Sequence, residues 1–492
     1  MDDMGDVAKT ADEPTIALPL IAGCRGGSGP VLEVRDPARP SDVVGFAQQA
    51  TAGDVARAYV AAGDAARPWA RTPAAARAAV LYRAADILDR DARALAADLV
   101  REEGKILADA FGEVQRSAST LRYFAGSLLQ PAGYVFPPER AVLSLSRQVP
   151  VGVVAVITPF NYPMLIPAWK IGAALAFGNV AVWKCSELVP VSASHFAAAL
   201  VEAGLPSGVL NLVIGGAELG ESMMESRSIS ALTFTGSTSV GRDLAVRMAG
   251  RGVRLQLELG GKNPAVVLDD ADIESAAAAI TNGAMAATGQ KCTAISLVIA
   301  TPGIYDQLRD ALARHIGQLV LGHGLDSGTE MGPLVTAAAA GRVHSEIRTA
   351  IDRGARLVVG EFPHPDDGHF VTPALLDGVA DDDPLLTREV FGPLLVLVRA
   401  KDSGDAVARA NRSPYGLNAA LFTNDLSSGM LLALELDAGM VHINAVSGFP
   451  SHIPFGGVKT SGFGPLEQGN TAVDFFTETR VLNVHPEGSR RR

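Results

Sequence analysis

Cys292 stands in TGQKCTA, residues 288–294, between a helical run, IESAAAAITNGAMAAT, and a strand-like run, SLVIA. Free cysteines are commonly buried and inert, but a deprotonated thiol at such a junction can attack a carbonyl. The Gly-Gln pair before it and the small residues after it make a tight turn able to offer sulfur and a backbone N–H to one carbonyl. Glu258, in LELGGKNP, ends an apolar run ahead of two glycines. Burial there raises a carboxylate toward the range of a general base, against the plainer reading of a capping or salt-bridging glutamate. Asn161, in ITPFNYPMLIPAWK, lies just past a buried strand, where an amide can donate to an oxyanion or simply serve a turn. FTGSTSVG, residues 234–241, runs a strand into a helix through Gly236 and Ser237. Such a turn presents N–H groups and the positive end of the helix dipole to phosphate, although it is not the G-x-G-x-x-G pattern. AVWKCSE adds Lys184 and Glu187 at another strand end, and the carboxyl ends of parallel strands are where nucleotides bind.

Those residues need strands to carry them. VPVGVVAVITP, GNVAVW, GVLNLVIG and SALTFTG are short β-branched runs, each followed by a helical stretch, which is the texture of a parallel sheet. A second series, NPAVVL, SLVIAT, ARLVVG and LLVLVRA, follows Glu258. The expected fold is therefore α/β, with two parallel-sheet domains, one Rossmann-like for a cofactor and one catalytic. From Thr51 to about Leu129, Ala-rich segments repeat apolar residues at i, i+3 and i+4, as amphipathic helices do. The polar, Gly-rich start to about residue 30 reads as a loose lead-in. The Gly- and Pro-interrupted stretch from about 121 to 149 fits neither sheet. The expected division is 1–127 with 150–259 for the cofactor domain, 260–465 for the catalytic domain, and 128–149 with 466–492 as an arm and tail.

A chain of 492 residues is too long for one ordinary core. A net charge of −11 gives no basic footprint for nucleic acid, so none is expected as a partner. No apolar run approaches the roughly 20 residues needed to span a bilayer, and the acidic N-terminus is unlike a secretory signal. A cytoplasmic location without membrane association is the default expectation. Cys24, Cys185 and Cys292 are widely separated, and the histidines are scattered, so neither a disulfide framework nor a metal site is expected.

PFNYP, WKCSE, FTGST, LELGGKNP, GQKC, EVFGP and PFGGVK follow one another in the order and approximate spacing of the aldehyde dehydrogenase superfamily, which the chain resembles from about residue 30 to 480. The resemblance implies that Cys292 attacks an aldehyde while Asn161 and the Cys292 backbone N–H hold the oxyanion. Oxidation by a nicotinamide cofactor then leaves a thioester, which water activated by Glu258 hydrolyses to an acid. Lys170 matches a lysine near the oxyanion asparagine, in a supporting role. For the cofactor, the resemblance assigns Thr158 and Pro159, the ribose ligands Lys184 and Glu187, the pyrophosphate turn Gly236 and Ser237, and Glu389 with Phe391 as the clamp on the nicotinamide ribose. A carboxylate at Glu187 favours NAD over NADP, with NADP as the second choice. Cys185 departs from the family, which usually has proline there.

Tyr162, Trp169, Phe449 and Phe455 fall where the family places aromatic walls of a substrate tunnel, with Lys291, Thr293 and Arg116 as candidates for tuning it. Arg116 could pair with a distal carboxylate or simply salt-bridge on a helix. GFGPLEQG, GQKCTA and EEGK resemble the branch containing α-ketoglutarate semialdehyde dehydrogenases, while Leu297 stands where many relatives have arginine. Relatives assemble through a strand-bearing arm, which makes a homodimer or homotetramer the expected partner state. A CoA-acylating enzyme usually lacks the glutamate, and an inactive structural relative usually lacks the nucleophile; both are present here.

Overall fold

The structure, a computed structural model, describes residues 14–130, 132–139, 141–360 and 368–485. Val153–Ile157, Val180–Cys185, Leu210–Ile214, Ala231–Thr235 and Arg254–Glu258 pair in parallel at the centre of an eight-stranded sheet. Helices cover both faces, so Val180–Cys185, Leu210–Ile214 and Ala231–Thr235 are buried along their whole length. From Val153–Ile157 the chain adds two strands on one side, then returns to add Ala231–Thr235 and Arg254–Glu258 on the other. Strand order therefore reverses between Val153–Ile157 and Ala231–Thr235, and the crevice beyond their carboxyl ends is the natural ligand site of such a sheet.

The helical region expected from Thr51 divides into Ala52–Arg71, Ala74–Arg90, Ala92–Glu103 and Leu107–Ser127. Thr51 and Asp54 form a capping box that fixes the first start. Gly104, at φ +98°, ends the third helix in a left-handed turn. Leu107–Ser127 buries Ala110, Val114, Ala118, Leu121 and Ala125 along one face.

The chain crosses to the second sheet within Leu259–Lys262. That seven-stranded sheet runs in the order Arg356–Val359, Ala374–Asp377, Leu394–Arg399, Ile295–Ala300, Asn263–Val267, Asn418–Phe422, Met440–Ile443, all parallel except the first. Alternate residues feed two cores: Val266, Ile299, Leu376 and Val396 on one face, Val267, Val298, Leu375 and Leu397 on the other. The short crossing sets the carboxyl ends of the first sheet against the amino ends of the second. A third sheet pairs Thr477–Val484 with the whole of Leu143–Pro150, and Val135–Phe136 with its other edge.

Four expectations need correction. The lead-in before residue 30 is not loose where described: Thr15–Ala17 pairs with Val43–Gln48, and Leu20–Ile21 extends the first sheet beside Leu210–Ile214. Strands of two or three residues are too short to show alternation. Residues 121–127 close the helix Leu107–Ser127 instead of opening the excursion. Gly462–Phe463, expected in the catalytic domain, pairs with Arg254–Glu258 of the first sheet. The stretch 466–476, expected in the arm and tail, packs inward because Ala472, Phe475 and Phe476 are buried in the first core. The acidic start over residues 1–13 and the tail over 486–492 lie outside the described residues. No helix of the described residues is long and apolar enough to cross a membrane. Among them, no group of three or more His, Cys, Asp or Glu could hold a metal ion.

Candidate active site

The helix Ile273–Met285 runs into Ala287, Thr288 and Gly289, three successive residues with φ of 51°, 57° and 69°. Left-handed backbone at two non-glycine residues costs on the order of 1–3 kcal/mol each and persists only where neighbours impose it. They do: Asp109 Oδ2 accepts from Ala287 N at 3.3 Å, Thr288 Oγ1 donates to Gly332 O at 3.0 Å, and Gln290 Oε1 accepts from Val335 N at 3.1 Å. The turn delivers Cys292 half-buried at the amino edge of the second sheet. Asn263 Nδ2 donates to Cys292 O and to Ala294 O, both at 2.8 Å. A Cβ on Gly261 would lie 2.5 Å from Cys292 O, so only glycine lets the crossing segment approach the nucleophile's backbone. The Cys292 N–H has no acceptor among the described residues. Burial pushes the thiol pKa up, and Glu258, Glu389 and Glu467 push it the same way. The resting thiol is protonated and needs a base.

Asn161 follows the central strand Val153–Ile157 and is buried. Its Nδ2 donates to Gln290 O at 2.7 Å, leaving one N–H of the amide to donate elsewhere, while Oδ1 is buried without a partner. Glu258, the last residue of Arg254–Glu258, is buried with Oε2 unpartnered. Gly456 approaches so closely that a Cβ there would sit 2.5 Å from Glu258 Oε1. Burial raises the Glu258 pKa well above the usual carboxylate range, Glu467 raises it further, and Lys170 opposes both.

Lys170 rides a single π-helical turn, Ala168–Gly172, a distortion frequent at functional sites. Its Nζ donates to Glu467 Oε1 and, at 2.7 Å, to Thr233 Oγ1. One buried ammonium thus serves two buried carboxylates. Charges about 4 Å apart attract by about 4 kcal/mol at an effective dielectric of 20, while an unpaired buried ion costs several kcal/mol. Burial raises the Glu467 pKa as well, and Lys170, in direct contact with it, lowers it. Sequence reading quoted Glu467 only as part of GFGPLEQG and gave it no role, because its partner is a lysine 297 residues away.

A cavity of about 310 Å³ opens at the switch point, lined by Pro159, Asn161, Gly236, Ser237, Cys292, Glu389 and Phe391 among others. Thr235 Oγ1 is buried there without a partner. Ser237 caps the helix Thr238–Ala249 without any side-chain cap bond, which leaves its first N–H groups for an anion. Glu389 Oε1 accepts from Gly261 N at 2.9 Å, and burial raises its pKa to about 7. Lys184 Nζ lies 3.6 Å from Glu187 Oε2, just beyond the strand Val180–Cys185. Gly216 and Gly220 lie against that pair: Cβ atoms there would be 3.7 Å from Glu187 Oε1 and 3.6 Å from Lys184 Cδ. This set fits a dinucleotide: a carboxylate beside a lysine for a ribose, an open helix start for phosphates, and a second carboxylate beside the thiol. Thr158 does not line the cavity; its hydroxyl accepts from Trp183 Nε1 at 2.9 Å. Cys185 is buried in the first core, and burial raises its pKa to about 12.

On the opposite side of Cys292, Trp169 and Phe455 form an apolar cluster with Leu165, Ile166 and Leu417, against which Tyr162, Phe449 and Cys292 itself pack. Trp169 and Phe455 have ring centroids 4.9 Å apart, and Phe449 and Phe455 5.0 Å. Thr293 is buried, its carbonyl accepting from Asn418 Nδ2 at 3.4 Å. The Lys291 side chain has no hydrogen bond or ion pair among the described residues, and burial lowers its pKa although Asp109 opposes this. Arg116 stands 5.8 Å from the centre of the Tyr162 ring; among the described residues its side chain donates only to Gly112 O, at 3.2 Å. Among the described residues neither side chain is within salt-bridge distance of a carboxylate, although Asp109 acts on Lys291 through space.

A model of the aldehyde dehydrogenase family matches residues 25–482. The chain is 39% identical over 466 residues to the α-ketoglutaric semialdehyde dehydrogenase of Bacillus subtilis, covering 93% of this chain and 96% of that one. Among solved structures, the NAD+ complex of an aldehyde dehydrogenase from Bacillus cereus superposes with a TM-score of 0.93 at 34% identity, covering 97% and 98% of the two chains. An NADP-dependent enzyme from E. coli superposes with a TM-score of 0.92 at 32% identity, covering 96% and 98%.

Proposed function

The chain belongs to the aldehyde dehydrogenase family, and from that premise we propose that it acts at Cys292 on an aldehyde carrying a distal carboxylate, of the α-ketoglutarate semialdehyde class. It is an NAD(P)-dependent oxidoreductase that converts aldehydes to carboxylic acids.

In this mechanism Cys292 gives up its thiol proton to solvent water, and the resulting thiolate sulfur attacks the aldehyde carbon. The Asn161 amide and the free Cys292 N–H hold the oxyanion, since both donors are left over from the protein's own bonding. When bound, the nicotinamide dinucleotide supplies the two-electron acceptor that turns the hemithioacetal into a thioester. Glu258, deprotonated as pH rises through its elevated pKa, takes a proton from the water that releases the acid. The presence of Glu258 favours hydrolysis over transfer to CoA. Lys170 and Glu467 hold charge behind Glu258. Trp169, Phe449 and Phe455 shield the thioester from bulk water.

Glu187 supports NAD as the preferred cofactor, because a carboxylate that bonds the ribose hydroxyls repels a 2′-phosphate. The exposed Val135, Phe136, Val481 and Leu482 of the three-stranded sheet support assembly into a homodimer or homotetramer through this arm.

The observation that carries the substrate class is Arg116 over Tyr162 and Lys291 next to the nucleophile, neither side chain within salt-bridge distance of a carboxylate among the described residues. Replacing both by methionine tests it, with kcat/KM measured for α-ketoglutarate semialdehyde and for pentanal. The charged substrate is expected to lose about 10–100-fold and pentanal less than about threefold, the range for desolvated charge pairs. Equal losses on both substrates would sink the assignment.

A further inference from the structure

Lys105 is the most enclosed cation among the described residues that the chemistry above leaves unused. It follows the left-handed Gly104, and its Nζ has no exposed surface. It donates to Glu113 Oε2 at 2.6 Å and to the backbone carbonyl of Asn161 at 2.7 Å, and it stands 4.2 Å from the centre of the Tyr162 ring. A second carboxylate, Glu103, lies 3.9 Å away. Glu113 uses its other oxygen to accept from Met164 N at 2.9 Å and Leu165 N at 3.2 Å. The turn from Asn161 to Leu165 is therefore held at both ends by one ion pair.

A buried pair is poor value as a source of stability. Removing two charges from water costs several kcal/mol each, and packed apolar residues would serve the fold as well. What apolar residues cannot do is fix the carbonyl of one residue and two amide N–H groups a few residues on. We propose that the buried Lys105–Glu113 pair is a positioning device for the oxyanion amide, locking the Asn161–Leu165 turn so that the Asn161 side chain meets the carbonyl held by Cys292.

The helix that carries Glu113 broadens the argument. On Leu107–Ser127, Asp109 holds the strained Ala287, Glu113 holds the Asn161 turn, Arg116 overlooks Tyr162, and Thr120 meets Ser451 Oγ at 3.0 Å. Residues at 109, 113, 116 and 120 share one helical face, so a single rigid element holds the turn before Cys292, the Asn161 turn and the segment at Ser451. Displacing a reacting group by about 1 Å costs about 100-fold in rate, which is the leverage such a reference has.

The inference rests on the oxyanion role given to Asn161, and a double-mutant cycle on the full-length enzyme tests it. Lys105→Met, Asn161→Ala and the double variant are compared by the rate of NADH formation in a single turnover. Asn161→Ala is expected to slow that rate by about 10²–10³-fold and Lys105→Met by about tenfold or more, with the double variant no slower than Asn161→Ala alone. Losses that multiply in the double variant overturn the positioning role while leaving Asn161 its own. An Asn161→Ala enzyme of undiminished rate overturns the oxyanion reading and this inference with it. If Lys105→Met does not fold, Glu113→Gln replaces it in the same cycle; Gln keeps an oxygen for Met164 and Leu165 and removes the charge. The same two patterns then decide.

Discussion

Asn161 Nδ2 donates to the carbonyl oxygen of Gln290 at 2.7 Å, so the end of a first-sheet strand grips the turn that presents the second sheet's nucleophile. Losing one buried hydrogen bond of this kind costs about 1 kcal/mol of stability, whereas losing an oxyanion donor costs about 2.7–4 kcal/mol of transition-state stabilisation. Asn161→Ala should therefore lose activity out of proportion to stability. A calorimetric scan beside kcat/KM checks this. A melting temperature that collapses in step with activity would make Asn161 a structural residue.

Glu258→Gln separates the two halves of the reaction. The first turnover of NADH formation should survive within about tenfold, while steady-state turnover falls about 10²–10⁴-fold, the reach of a general base. Intact-mass spectrometry after mixing with aldehyde and NAD should show an acyl group on the protein, absent in Cys292→Ala. A Glu258→Gln enzyme that turns over normally would remove Glu258 from hydrolysis.

The pH dependence has a definite sign. Burial, and then the negative charge of Glu467, raise the Glu258 pKa, and Lys170 lowers it. Glu467→Gln removes the second cause and frees Lys170 to act on Glu258, so the Glu258 pKa should fall. The rising limb of kcat against pH, which follows loss of the proton from Glu258, should then move to lower pH. A limb that stays in place or moves to higher pH argues that Glu467 does not act through Glu258.

Glu187→Ser should relax the choice of cofactor. The Glu187 side chain is 42% exposed and paired with Lys184 at 3.6 Å, so its removal leaves a lysine available to a 2′-phosphate. The ratio of kcat/KM for NADP to that for NAD should rise by about tenfold or more, about 1.4 kcal/mol of discrimination. An unchanged ratio would place nucleotide choice elsewhere.

Much of the site was legible because its parts sit where strands end. Asn161 follows one strand, Gly236 another and Glu258 ends a third, so strand-end patterns mark all three. Cys292 was legible only in that company, since a thiol between a helix and a strand is otherwise ambiguous. Glu467 and Lys105 were not legible: each works by meeting residues distant in sequence, and a buried ion pair leaves no periodic trace. EEGK looks like the charged end of a helix until Gly104 turns Lys105 inward. The early strands at Thr15–Ala17 and Leu20–Ile21 were missed because their partners, not their own residues, define them.

The raised pKa of Cys292 has a bearing on durability. Peroxide oxidises thiolates far faster than thiols, so a nucleophile held protonated at rest is a poor target for oxidants. Cys185 is sheltered in the same way inside the first core, and Cys24 alone of the three cysteines is exposed. Of the three thiols, Cys24 is the one that an oxidant in solution meets first.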